Sequence, residues 1–225
     1  VSSGSSGMDD LQEELPEVSR IAFASTGTNR DPWLAALALD GRIGRMVLGA
    51  SEPLLGQVRL AWWRDQLGKP IDDRPRGDPL LDLIGQRWHG REAALLALVD
   101  GWEALLGDRP LAEADMMRFV EGRGELASGL VHLLSHPDHA PEAERAGKLW
   151  AFADLAIHAQ AEGERSHALE QGVSHARQSL QLPRTMRPLA VIGGLARRSL
   201  RSGGAAMLGD RFSPLVALRL GMVGR

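Results

Sequence analysis

The chain has no cysteine and no tyrosine, and only four phenylalanines among its 225 residues. The first absence excludes disulfides, zinc thiolates and thiol nucleophiles, and it leaves the redox compartment open. β-Branched residues are thin, whereas Leu, Ala, Arg and Glu are plentiful, so helix propensity outweighs strand propensity and an all-α, single-domain fold is expected. No apolar run approaches the roughly 18 residues needed to span a bilayer. The opening Val1 to Gly7, Val-Ser-Ser-Gly-Ser-Ser-Gly, lacks the apolar stretch of a signal peptide and reads, to about residue 8, as a flexible tail or linker. A cytoplasmic protein is expected, with contact at the periphery of the inner membrane as an alternative.

The net charge of −3 conceals an asymmetry. From Arg184 to Arg225 eight arginines face one acid, Asp210, giving this stretch +7 and leaving −10 for the remainder. Such a stretch suits an anionic membrane surface or an acidic protein partner, with Arg187, Arg197, Arg198 and Arg201 as the candidate contact surface. The competing reading is a solvated arginine face. No motif for nucleic-acid readout accompanies it, so no nucleic-acid partner is expected.

Apolar spacing predicts a first helix through Leu11, Leu15, Val18 and Ala22, with Asp9 and Asp10 as caps. A second begins at Asn29 or Asp31 with Pro32 in its first turn, weakened by Gly41, Gly44 and Gly49. A third runs from an Ser51 cap to about Leu67, followed by a surface loop over 69–79. Helices are predicted near 80–88, 91–106 and 111–135, then one long helix from about Glu142 to Gln171, and others near 173–181, 184–201 and 213–222. There is no internal repeat and no linker of domain-boundary composition.

The most distinctive stretch is Ser51-Glu52-Pro53-Leu54-Leu55-Gly56-Gln57-Val58-Arg59-Leu60-Ala61-Trp62-Trp63-Arg64-Asp65. It resembles the segment of the squalene/phytoene synthase family in which a Ser/Arg-Glu-Pro turn opens a helix ending Arg-Leu-x-Trp-Trp-Arg-Asp. Val120-Glu121-Gly122-Arg123-Gly124 is similar to that family's Ala-Glu-Gly-Thr-Ala turn region, and weaker likeness continues through His175-Ala176-Arg177, Leu182-Pro183-Arg184 and Arg187-Pro188-Leu189. The resemblance implies an isoprenoid-synthase-type bundle in which Gln57, Arg59, Trp62, Trp63, Arg64 and Asp65 belong to a signature helix near the cavity. On spacing alone, Leu55, Arg59, Trp62, Trp63 and Gln66 share one side of that helix, and packing is the more frequent role of tryptophan.

The resemblance further implies head-to-head joining of two prenyl diphosphates, with two aspartate-rich helical motifs holding Mg²⁺. That chemistry asks for carboxylates four residues apart on one helical face. At the first motif Asp40 is present, but position 44 is glycine. At the second, Asp154, His158 and Glu162 match the spacing but not the identities, and Asp154 and Glu162 would lie about 12 Å apart along one helix axis. The family's catalytic tyrosines are necessarily missing.

Asp72-Asp73 sits in the loop and reads as solvated, and His132, His136 and His139 as a polar turn rather than a zinc site. Three functions therefore stand as expectations. The first is a non-catalytic or altered homologue, like the branch containing complex I assembly factors, binding a prenyl-like chain or a protein partner. The second is an active Mg²⁺-dependent transferase using Asp40, Asp154, His158 and Glu162. The third is a peripheral membrane adaptor.

Overall fold

Proline marks the start of several of the helices. In the computed structural model, which describes residues 3–208, the chain forms ten α-helices and no strand among those residues: α1 (Ser3–Glu13), α2 (Glu17–Phe23), α3 (Arg30–Leu48), α4 (Pro53–Gly68), α5 (Pro79–Arg87), α6 (Glu92–Glu103), α7 (Glu113–Leu133), α8 (Ala140–His158), α9 (Glu162–His175) and α10 (Arg187–Arg201). Pro53, Pro79, Pro141 and Pro188 each occupy a first turn, where the missing N–H has no partner to lose. Asp78 caps α5, its carboxylate accepting from the Leu80 and Leu81 amides at 2.8 and 3.0 Å. The helix expected near 213–222, with Arg211, Arg219 and Arg225, lies outside the described residues.

The all-α expectation holds, and two expected helices are each broken in two. Pro16 separates α1 from α2, so Asp9 and Asp10 lie inside α1 rather than at its start. The long helix expected over 142–171 stops at His158 and resumes at Glu162. The intrinsic preference of Ala159-Gln160-Ala161 does not demand that break, because these residues favour helix. The break is held by side chains reaching back from the start of α9: Glu164 accepts from the Gln160 amide at 3.1 Å, and Arg165 donates to the Ala156 carbonyl at 2.8 Å. Further on, α9 ends at His175, so the helix expected near 173–181 is absent. The third helix starts one residue late, with Glu52 rather than Ser51 at the cap position.

One continuous apolar core joins these helices. Its centre is α8, which packs against α7, α9 and α10, while α6 backs onto α7. Glycines set the spacing: a Cβ on Gly147 would lie 2.3 Å from the Arg123 carbonyl oxygen, and one on Gly122 would lie 2.5 Å from that of Ala97. These close approaches bring α6, α7 and α8 near enough for their side chains to meet at one site.

Candidate site: a buried arginine bridging two aspartates

Asp40 projects from the middle of α3 and Asp154 from the last turn of α8, and the structure brings them together through a residue on α7. Arg123 donates to Asp40 with two parallel bonds, Nε to Oδ1 and Nη2 to Oδ2, each 3.0 Å, and its Nη1 donates to Asp154 Oδ2. Side-chain exposure is 2 % for Arg123, 3 % for Asp40 and 19 % for Asp154, so the bridge is sealed on the α3 side and opens at Asp154. A guanidinium is the cation suited to such a site, because its fixed fork meets a carboxylate bidentately. The ring of Trp150 lies 3.8 Å from the Arg123 guanidinium carbon, with those of Phe119 and Trp102 at 4.7 and 5.1 Å.

Trp102 completes the arrangement from α6. Its indole Nε1 donates to Asp40 Oδ1 at 2.9 Å, and glycine at residue 44 leaves room for the ring: a Cβ there would stand 3.0 Å from the indole and press on it. Burial pushes the Asp40 carboxyl above its ordinary range, against the opposing pull of Arg123 and Trp102. Burial also works against the Arg123 charge, but the two carboxylates prevail and hold its pKa above the usual value. The guanidinium therefore stays charged, with two acids sharing one cation.

The bridge forms part of the wall of a cavity of about 750 Å³ between α2, α3, α6, α7 and α8. Val18, Leu48, Trp102, Trp150, Ile157 and Met207 supply apolar lining. Leu48, Trp102, Asp154 and His158 also border a narrower recess of about 70 Å³ that continues toward Leu105, Met116 and Phe119. The larger volume lies within the range typical of small-molecule sites.

The other expected site residues fare unevenly. His158 borders the cavity and is exposed, its Nδ1 2.9 Å from the Asp154 carbonyl oxygen. Glu162 does not join Asp154 and His158 on one stripe, because the break before α9 carries it to an exposed position, where Ser166 donates to it at 3.3 Å. The carboxylate turned inward near this break is instead Glu164, at 3 % exposure, which accepts from Arg109, Leu111 and Gln160.

None of Gln57, Arg59, Trp62, Trp63, Arg64 and Asp65 borders the large cavity, contrary to the signature-helix expectation. The buried side of α4 carries Gly56, Leu60, Trp63, Gln66 and Leu67, one position off the expected stripe, so Leu55, Arg59 and Trp62 face outward. Arg64 ties α4 to α6 through Asp100 and Glu103, both at 2.6 Å, and Asp65 pairs with Lys69 on the surface. Among the described arginines of the basic stretch, Arg187, Arg197 and Arg198 are half-buried, and Arg184 and Arg201 are exposed. Arg201 donates to the Ala176 carbonyl at 3.1 Å.

Arg123 is the residue of this candidate site that pattern reading does not find. The only trace of it is an arginine within Val120-Glu121-Gly122-Arg123-Gly124, a stretch that forms the middle of α7 rather than a turn. The donor set fits a magnesium ion poorly. Both oxygens of Asp40 are engaged by Arg123 and Trp102, Asp154 already neutralises the same guanidinium, Glu162 is remote, and His158 is a softer ligand than this ion favours. Among the described residues no group of three or more His, Asp or Glu is arranged to hold a metal, and no helix is long and apolar enough to cross a membrane. Compared with models of protein families, with curated proteins and with solved structures, the chain matches none.

Proposed function

We propose that the chain is a divergent squalene/phytoene synthase-type protein that binds a single prenyl-like chain in the cavity between α3 and α8 without ionising a diphosphate. One observation carries this reading: Arg123 sits between the two acids that the resemblance assigns to metal binding and pairs with both. A leaving diphosphate needs cationic neutralisation as its C–O bond breaks. Here Arg123 and Arg45, the arginines bordering the cavity among the described residues, are already paired with protein carboxylates, and the position four residues beyond Asp40 is Gly44, against which the Trp102 ring lies. What remains is an apolar hollow with a polar end, suited to holding a chain rather than to transforming it.

A direct assay incubates the protein with farnesyl or geranylgeranyl diphosphate and Mg²⁺ and follows products by mass spectrometry. No coupled product is expected. Turnover at enzyme-like rates, abolished by Asp154→Ala, would refute the reading.

A further inference from the structure

The charges around the cavity indicate what the polar end of its ligand must be. Two arginines border it. Arg123 is spent on Asp40 and Asp154, and Arg45 donates to the carboxylate and the backbone carbonyl of Glu14 at 3.2 and 2.8 Å. Glu14 is in turn shared with Arg42, which also holds Asp78 at 3.0 Å, so this outer group of two arginines and two acids is balanced. The inner bridge is not balanced: two carboxylates against one guanidinium leave one negative charge. That charge lies toward the open side, since Asp154 accepts from Arg123 through Oδ2 and its Oδ1 has no hydrogen-bond partner among the described residues. That oxygen is not sealed from solvent, so water meets it in the empty cavity and a donor on a ligand takes the water's place.

We infer that the cavity selects an amphiphile whose polar end is a hydrogen-bond donor, an alcohol or above all an amine, over the diphosphate of the same chain. This rests on the reading of the cavity as a site for a prenyl-like chain. An ammonium or hydroxyl placed in the cavity beside Asp154 donates to Oδ1. The ammonium also cancels the residual charge, and a charge-assisted bond of this kind corresponds to roughly a tenfold to hundredfold gain in affinity. A diphosphate would set its own charge against that of Asp154, and among the described residues the two arginines bordering the hollow are already paired with carboxylates.

Titrations of the full chain with farnesol, farnesylamine and farnesyl diphosphate, with and without magnesium, test this through the fluorescence of Trp102 and Trp150, which border the cavity. The amine is expected to bind at least about tenfold more tightly than the diphosphate, with the alcohol between them. Asp154→Asn should remove most of the amine's advantage over the diphosphate, with an unchanged far-ultraviolet circular-dichroism spectrum reporting that the variant is folded. Tighter binding of the diphosphate, in either buffer, would overturn the inference but leave the chain-binding reading in place. An amine preference undiminished in Asp154→Asn would also overturn it. Failure of all three probes to bind would remove the cavity reading and this inference with it.

Discussion

Trp62 and Trp63 are neighbours in sequence and opposites in burial: Trp63 is 2 % exposed within the core, whereas Trp62 is 41 % exposed and meets Trp63 edge-on at 5.1 Å. The twin-tryptophan signature therefore contains one packing residue and one surface residue. Trp63→Ala is expected to destabilise the fold by about 3–5 kcal/mol, the usual toll of emptying a large aromatic site. Trp62→Ala should stay near 1 kcal/mol or below, and denaturant unfolding of the two variants separates them. At this scale the sequence was informative about individual acids and poor about their partner. Asp40 and Asp154 are singled out by the resemblance, which sets one acid before the Ser51-Glu52-Pro53 turn and one in the later helical motif. Arg123 is not, because its meaning depends on 83 and 31 residues of separation to the acids it joins.

Between elements, the close approach of α7 and α8 depends on Gly147, which leaves room for the backbone of Arg123. A methyl group there meets a carbonyl oxygen, not a yielding side-chain tip. Gly147→Ala is therefore expected to lower stability by about 1–3 kcal/mol, and to displace Arg123 enough to change the emission of Trp102 and Trp150. Gly163→Ala, in the first turn of α9 with open space around it, serves as the contrast and should be neutral or gain up to about 1 kcal/mol. Helix starts marked by proline were readable in advance, because proline acts through its own φ and missing donor. The break at 159–161 was not, since helix-favouring alanines are overruled by Glu164 and Arg165 reaching back from the next helix. The outward face of α4 was misjudged by one position for a related reason: several of its exposed residues are apolar, so hydrophobic spacing there carries little contrast.

For the whole molecule, pH acts through groups that the fold treats in opposite ways. Burial would raise the Glu164 carboxyl, but the Leu111 and Gln160 amides and Arg109 outweigh it and hold the group below its ordinary range. Because the folded value is depressed, the ionised clamp contributes fully above the unfolded value near 4.5 and is lost as pH falls through the lower folded value. Asp40 has the reverse sign, since a raised folded value makes folding more favourable as pH falls. Glu164→Gln is expected to cost about 1–3 kcal/mol at pH 7, with the deficit shrinking toward zero below pH 4, as read from urea midpoints across that range. The arginine at the centre of the bundle has a different consequence. Because the ion that joins α3 to α8 is part of the polypeptide, no chelator strips it out and no fluctuation in cellular mineral supply leaves the wall half built. Assembly of the hollow accompanies folding itself, and EDTA should leave its affinity for any lodger untouched.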